Sequence, residues 1–199
     1  MTVSIPWHPE NEPPPVFPND SKAGRQIGES SGEEIAALRA IVEGTAEETG
    51  DKFFQALVEH LAQALGVSYA FVAEFAGVKT RVRTLAYWTK DRIADNIEFD
   101  LEGTPCQDVV GGKLCHHPTS VQSIFPADQG LIDLGIESYL GVPLHNTHGD
   151  VLGHLAAFDE QPMPPEPRQL SIFKIFAARA AAELNRLRME QMLKQSEQR

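Results

Sequence analysis

The chain has 199 residues, which is enough for one domain of ordinary size with extensions but too few for two separate cores. Hydrophobic residues make up 42% and charged residues 23%, which is the balance of a globular protein and not of a fibre or a wholly disordered chain. The formal net charge of -11 disfavours direct binding to DNA or RNA, because nucleic-acid phosphates would be repelled.

The sequence contains no sign of a membrane segment or of export. No apolar stretch approaches the roughly 20 residues that a membrane-spanning helix needs, and the N-terminus lacks the basic start and apolar run of a secretory signal. Cys106 and Cys115 are the two cysteines, and two cysteines do not make a secreted disulfide scaffold. We expect a cytoplasmic protein with reduced thiols and no membrane partner.

The first part of the chain changes character at residue 33. Residues 1–32 contain six prolines and no periodic apolar pattern, which predicts a disordered tail. Apolar residues then recur at helical spacing and stop at Gly44, which predicts a short helix. A second apolar stripe over residues 51–65 predicts a longer helix that ends at Gly66.

The middle of the chain follows the two-residue period of β-strands. This alternation predicts strands at residues 68–75, 81–88 and 96–101, and two stronger ones at residues 138–144 and 151–159. The last two are separated by Asn-Thr-His-Gly-Asp, a sequence typical of a hairpin turn. We therefore predict a mixed α+β fold with an antiparallel sheet.

Residues 102–136 are rich in glycine and interrupt the strand pattern. They suggest two short helices and one brief strand around residues 119–124. A long, half-structured segment inside a compact domain is usually functional.

The C-terminal part, after a proline-rich stretch at residues 162–167, reads as one helix from about Arg168 to the end. This helix extends beyond the predicted domain, and its outer part has few apolar residues that could be buried within a single chain. We therefore predict that it pairs as a coiled coil with a second copy in a homodimer. The predicted pairing stripe consists of Phe176, Ala180, Leu184, Leu187 and Gln191.

Four short motifs carry a resemblance to a known family. They are Tyr-Leu-Gly-Val-Pro-Leu at residues 139–144, Gly-x-x-x-Gly at 149–153, Gly-Thr-Pro-Cys at 103–106 and Ile-Phe-Pro-x-Asp at 124–128. With the surrounding helices and strands, residues 33–187 resemble the GAF domain of bacterial sensor kinases and related regulators. The resemblance implies a central antiparallel sheet, with helices on one face and a ligand pocket under the irregular segment on the other.

The resemblance also implies a role. It predicts a non-catalytic sensory module of a signal-transduction protein, such as a two-component system, that binds a small molecule of unknown identity; the cofactor, if any, stays open. Residues 188–199 are similar to the helix that leads into a further domain in such proteins, so an effector is expected beyond Arg199.

Strand alternation assigns residues to the pocket face. Tyr139 and Gly141 alternate with bulky aliphatic residues suited to helix packing, and His154 and Phe158 share one face of the following strand. For His154 the alternative is a histidine whose ring nitrogens are satisfied by backbone or solvent. The predicted pocket residues are Phe99, Cys106, Phe125, Leu131, Tyr139, Gly141, His154 and Phe158. Such a lining favours a small, weakly charged organic molecule over a polyanion.

Thiol chemistry is the main alternative, because some GAF-fold enzymes reduce free methionine sulfoxide with two cysteines. In that family the attacking thiol lies just before the Val-Pro-Leu strand, where residues 130–134 of this chain contain no sulfur. We therefore expect no catalytic residue. A redox sensor or reductase using Cys106 and Cys115 remains the alternative, as does a purely dimerising module.

Three further binding functions are weaker. Cys115-His116 resembles the dipeptide that anchors bilin in phytochrome-like GAF domains, but it lies too far before the Val-Pro strand. The sequence signature of cyclic-nucleotide binding is absent. The histidines near Cys115 and around the hairpin suggest a metal site only weakly, because adjacent His116 and His117 would point apart on a strand. No metal is predicted.

Overall fold

A computed structural model describes residues 48–198. The predicted N-terminal tail and the predicted helix that ends at Gly44 lie outside the described residues. The domain boundaries predicted at residues 33 and 187 stay predictions.

The first described helix, α1, spans Asp51–Leu65, as predicted from its apolar stripe. It ends at Gly66, whose φ of 66° is a left-handed conformation that glycine adopts without steric cost. One face of the helix is buried, through Phe53, Phe54, Leu57, Val58, Leu61, Ala62 and Leu65.

Seven strands form one sheet within the described residues. They are β1 Tyr69–Ala76, β2 Val78–Thr89, β3 Arg92–Ala94, β4 Glu98–Asp100, β5 Cys115–His117, β6 Ser138–His145 and β7 Val151–Asp159. Their order is β3-β2-β1-β7-β6-β5, with β4 also paired to β2, and every pairing is antiparallel. The predicted antiparallel sheet is confirmed, and β3 is a strand that the sequence pattern did not reveal.

The brief strand predicted at residues 119–124 is wrong. Ser120 has a φ of 59°, which is incompatible with a strand, and the residues after it form the short helix α3, Val121–Ile124. The edge of the sheet is formed earlier in the chain by β5, in which His116 pairs with Leu140 of β6.

Two more helices, α2 (Pro105–Val110) and α4 (Gln129–Asp133), complete the irregular segment. The chain ends in α5, Pro167–Glu197, which has 31 residues. Both α1 and α5 contribute to the core on one face of the sheet, whereas α2, α3 and α4 contribute to the core on the other face.

The two faces of the sheet carry separate hydrophobic cores. Along β1, Ala70 and Val72 join the core under α1 and α5, while Tyr69 and Phe71 join the core under the irregular segment. The same alternation on β6 sends Leu140 to the helices and Tyr139 to the opposite face. The fold is therefore α+β, with helices packed on one face, as predicted.

A bulge changes the alternation at the start of β7. Leu144 pairs with Gly153 and His145 pairs with Val151, so Leu152 has no partner residue on β6. Leu152 is buried in the core on the helix side, although strict alternation would place it on the same face as His154. Beyond the bulge, Ala156 and Phe158 lie on the face expected from the sequence.

Candidate functional site

A cavity of about 340 Å³ lies between the sheet and the irregular segment. This volume falls within the range of roughly 300–1,000 Å³ that is usual for small-molecule sites. Exposed residues such as Ile97, Glu102 and Gln129 form its rim. Its inner wall consists of Phe71, Tyr87, Phe99, Cys106, Leu131, Leu134, Tyr139 and Phe158.

Strand register brings the aromatic side chains together. Phe71 of β1 pairs with Tyr87 of β2, and Tyr139 of β6 pairs with Phe158 of β7. Because β7 lies between β1 and β6, the Phe158 ring is central: its centroid is 5.7 Å from that of Phe71 and 6.5 Å from that of Tyr139. The floor of the cavity is therefore a continuous set of aromatic rings held by the sheet.

The opposite wall comes from two short helices. Cys106 lies in the first turn of α2, directly after Pro105, whose fixed φ suits the start of a helix. Asp128 caps α4, and its Oδ1 accepts a hydrogen bond from the backbone N–H of Leu131 at 3.2 Å. This capping contact places both Asp128 and Leu131 at the cavity.

The polar groups of the inner wall are buried. Burial raises the pKa of the Cys106 thiol and of the Tyr87 hydroxyl to about 12, and it raises the pKa of the Tyr139 hydroxyl well above its usual value. All three groups are therefore neutral at physiological pH. They contribute two hydroxyls and a thiol to the wall but no charge.

The charges around the cavity are all negative. Asp100, Glu102 and Asp128 border it, and none of the described residues that border it is lysine, arginine or histidine. Asp128 is half-buried, and partial loss of solvent raises the pKa of its carboxyl. Asp100 is exposed and has an arginine partner, with Arg81 Nη1 at 3.9 Å from its Oδ1.

A comparison with protein-family models matches the GAF domain model to residues 49–184. The chain belongs to the GAF domain family. A comparison with curated proteins returned no match.

Solved structures share the fold of this GAF domain at low sequence identity. The GAF domain of a phosphoenolpyruvate-protein phosphotransferase from Coxiella burnetii is 15% identical, with a TM-score of 0.67 over 81% of this chain and 98% of that one. The corresponding Acinetobacter domain is 14% identical, with a TM-score of 0.63 over 79% and 96%. The chromophore-binding domain of Stigmatella aurantiaca bacteriophytochrome is 14% identical, with a TM-score of 0.61, and this chain covers 59% of it.

Five of the eight residues predicted to line a pocket in this GAF domain border the cavity. They are Phe99, Cys106, Leu131, Tyr139 and Phe158. Their contact with a ligand stays a prediction. The other three, Phe125, Gly141 and His154, are not in the cavity wall.

Gly141 and Phe125 have packing roles. A Cβ atom on Gly141 would lie 2.6 Å from the Tyr139 hydroxyl and 2.7 Å from Val109 Cγ2, so the absence of a side chain leaves room for the Tyr139 ring. Phe125 packs edge-on against His117, with ring centroids 5.3 Å apart. Gly141 therefore makes room for a residue of the cavity wall, and Phe125 packs next to that wall without bordering the cavity.

His154 lies on the predicted face but is buried beneath the floor. Its ring is fully buried and edge-on to Phe71, with centroids 5.2 Å apart. Neither ring nitrogen has a hydrogen-bond partner among the described residues, so no backbone group of that part of the chain satisfies it. Burial lowers the pKa of His154 to about 3, which keeps the imidazole neutral.

Sequence reasoning missed Phe71 and Tyr87, which form much of the floor. Both stand in strands that were predicted, and the signal for their position was the alternation of Tyr69, Phe71 and Ala73 along β1. What the sequence did not provide was the pairing of Phe71 with Tyr87, which depends on the register between β1 and β2.

The adjacent histidines point to opposite faces, as expected on a strand. His116 Nε2 lies 2.9 Å from the carbonyl oxygen of Met163, a residue of the core on the helix side. His117 packs against Phe125 and Tyr139 on the cavity side. Among residues 48–198, no three His, Cys, Asp or Glu side chains lie close enough to hold a metal ion.

The predicted pairing stripe of α5 is largely occupied within the chain. Phe176, Ala180 and Leu184 are buried against α1 and the sheet, so these residues of the stripe are covered within one chain and do not need a second copy to cover them. Leu187 is half-buried against the same core, and Gln191 is exposed. The reason is that α5 packs against α1 and the sheet from Ile172 to Leu184.

The exposed apolar residues of α5 lie on a different face. Met189, Met192 and Leu193 are 61%, 61% and 63% exposed. Their spacing of three and four residues places them on one side of the helix, away from the stripe that enters the core. No helix in the described part of the chain is long and apolar enough to span a membrane.

Proposed function

We propose that this GAF domain is a non-catalytic sensory module. It binds a small, weakly charged organic molecule in the aromatic cavity and relays that event through α5 to a second copy of the chain. The single observation that carries the proposal is the cavity of about 340 Å³ opposite the helices, with a buried aromatic floor and an exposed rim. Concave apolar sites with a few polar groups are the usual form of small-molecule sites.

The state of the cysteines supports binding over thiol catalysis. A nucleophilic thiol needs a lowered pKa, usually from a neighbouring cation or a helix N-terminus. The pKa of Cys106 is instead raised to about 12 by burial, and partial burial also raises the pKa of Cys115. Both thiols are therefore protonated and weakly nucleophilic at neutral pH.

Ligand binding can be tested by a thermal-shift screen of metabolites on the full chain. A ligand at one hundred times its Kd stabilises the native state by about 2.7 kcal/mol, which corresponds to a rise in Tm of roughly 5–10 °C for a domain of this size. We expect one class of small organic compounds to produce such a shift.

A matched pair of variants assigns the shift to the cavity. Leu134→Trp places a large ring in the cavity wall and is expected to abolish the shift, because Leu134 borders the cavity and is half-buried. Ile132→Trp makes the same change at a residue of α4 that is 43% exposed and outside the wall, so it should preserve the shift. A screen without any stabilising compound would instead favour a purely dimerising module.

The relay is supported by the position of β7 between the two cores. Phe158 faces the cavity, whereas its neighbour Ala157 packs in the core beneath the helices. A shift of this strand on ligand binding is therefore transmitted to the core in which α5 is packed. Ligand binding and helix pairing are coupled only to the extent that the ligand binds one arrangement of the paired helices more tightly than another. This coupling free energy is typically about 1–3 kcal/mol.

The exposed face of α5 supports pairing with a second copy. From Leu184, its last fully buried residue, the helix continues to Glu197 for about 20 Å at roughly 1.5 Å per residue. Met189, Met192 and Leu193 are uncovered along this extension. A second helix of the same sequence would cover them with an identical apolar face.

Sedimentation at high micromolar concentration tests the pairing and its face. We expect a dimer that Met192→Glu dissociates, while Gln191→Glu leaves it intact because Gln191 lies on the side that continues the core stripe. The opposite result for the two variants would restore the stripe predicted from the sequence as the interface. A wild-type monomer would overturn the relay and leave an isolated binding module.

A further inference from the structure

The cavity combines aromatic rings with negative charge only. Phe71, Phe99 and Phe158 contribute apolar rings to its wall, and Tyr87 and Tyr139 add two more. The face of an aromatic ring carries partial negative charge and attracts a cation that lies within about 6 Å of its centroid. A wall of five rings therefore favours a positively charged group over a negative one wherever a ring face borders the cavity, and it also suits an apolar body.

The carboxylates that border the cavity also favour a positively charged ligand. Asp128 stands at the boundary between the wall and the rim, and Glu102 lies at the rim. Neither has an ion-pair partner among residues 48–198, whereas Asp100 is partly neutralised by Arg81. A ligand cation would bring Asp128 and Glu102 the counter-charge that the described part of the chain does not supply.

An anionic ligand would find no basic side chain to pair with. The wall contains none in the described part of the chain, and the formal net charge of the whole chain is -11. A carboxylate or phosphate placed among the rings would lose its hydration without gaining a cationic partner. The field of the protein would also oppose its approach.

We infer that the ligand of the aromatic cavity is an organic cation, with an ammonium or similar charged nitrogen attached to an apolar or aromatic body. The inference rests on the proposed function, because it specifies the ligand class of the same cavity. In the bound state the apolar body lies against the Phe158 floor, and the charged nitrogen lies among the rings on the side of Asp128.

Three matched probes separate charge from shape. The cation meta-hydroxyphenyltrimethylammonium and the neutral meta-tert-butylphenol differ only in whether the central atom is charged nitrogen or carbon, and meta-hydroxybenzoate carries the opposite charge. Titration calorimetry on the full chain at low salt is expected to give the cation about tenfold tighter binding than its neutral isostere, with no measurable binding of the anion. The advantage of the cation should diminish as salt is added.

Substitutions at the cavity identify the residues that cause the preference for the cation. Asp128→Asn is expected to weaken binding of the cation severalfold and to leave the neutral isostere unchanged, whereas Glu197→Gln, an exposed change on α5, should alter neither. Phe99→Leu should weaken binding of the cation, and Phe99→Tyr should retain it because the ring face is preserved. Circular dichroism and Tm of each variant distinguish loss of binding from loss of fold.

Each outcome decides the inference separately from the proposed function. Equal or tighter binding of the neutral isostere overturns the inference but leaves a small-molecule site in place. Preferential binding of the anion overturns it as well. Failure of all three probes to bind the wild-type chain also overturns it, and the proposed function is then judged by the metabolite screen and the Leu134→Trp variant.

Discussion

The Sγ atom of Cys106 lies 3.3 Å from the hydroxyl oxygen of Tyr139 at the inner wall of the aromatic cavity. Cys106 is 4% exposed and Tyr139 is 1% exposed, so each group satisfies the other where solvent is nearly excluded. The pair ties α2 to β6 and fixes one side of the cavity.

Cys106 should react more slowly than Cys115 with iodoacetamide at pH 8, by at least about tenfold. Burial raises the pKa of Cys106 to about 12 and blocks access, while Cys115 is half-buried. Timed alkylation followed by peptide mass spectrometry measures both sites, and the two rates should converge in denaturant. Equal rates in the native protein would contradict this assignment and favour a redox-active Cys106.

Replacing Gly141 with alanine should destabilise the domain by about 1–3 kcal/mol, because the added methyl group collides with Tyr139 and Val109 in a packed core. Urea unfolding measures the change. The matched control is Gly130→Ala in α4, where the nearest atom to the new Cβ is Asp128 Oδ1 at 3.3 Å and the backbone is helical. A loss at Gly130 as large as that at Gly141 would show that the contact with Tyr139 is not the cause.

The stability of the domain should fall as the pH drops below about 6.5. His154 has a folded-state pKa of about 3, so the unfolded chain takes up its proton first. Between neutral pH and pH 5 this linkage removes about 2 kcal/mol of unfolding free energy. His154→Phe should abolish that part of the pH dependence, which urea titrations at several pH values would measure.

The control for this titration is His148→Phe in the exposed turn between β6 and β7. With His154 still in place, the loss of stability at acid pH should remain in this variant. If the unfolding free energy of the His154→Phe variant still falls steeply at acid pH, groups other than His154 cause that fall.

Replacing Arg188 with glutamine should loosen the outer part of α5. Arg188 Nη2 donates to Glu74 Oε2 at 3.2 Å and to the carbonyl oxygen of Leu152 at 3.1 Å, so it connects α5 to β1 and β7. The Arg188 side chain is 33% exposed, so its ion pair contributes modestly, and we expect amide exchange over residues 188–197 to rise about two- to fivefold. Hydrogen-exchange mass spectrometry resolves this segment.

Arg186→Gln is the matched control for that change. Among the described residues, Arg186 forms its ion pairs with Glu183 and Glu190 of the same helix and not with the sheet. Its loss should raise exchange less than the loss of Arg188. Equal effects would mean that helix propensity, and not anchoring to the sheet, holds the segment.

The sequence by itself determined the elements whose pattern is local. The two-residue alternation over residues 151–159 coincides with β7, and the apolar stripe over residues 51–65 coincides with α1. Each pattern records which side of its own backbone is buried, except at Leu152, where the bulge against β6 changes the face. The same alternation assigned Tyr139 and Phe158 to the cavity face.

The tertiary structure decided what depends on neighbouring elements. The edge strand lies at β5 and not at residues 119–124, because β5 pairs with β6 and Ser120 has a left-handed backbone. Whether Leu184 is covered depends on how far the sheet and α1 extend along α5, and a helical period alone does not contain that length.

The cavity was likewise a product of register. Phe71 and Tyr87 meet because β1 and β2 pair in one register, while Gly141 and His154 lie behind the wall because Tyr139 and Phe71 occupy the space in front of them. A sequence indicates the face of the sheet on which a residue lies. It does not indicate which side chains on that face border the cavity and which are buried behind them. Packing between segments that are distant in the sequence determines these positions.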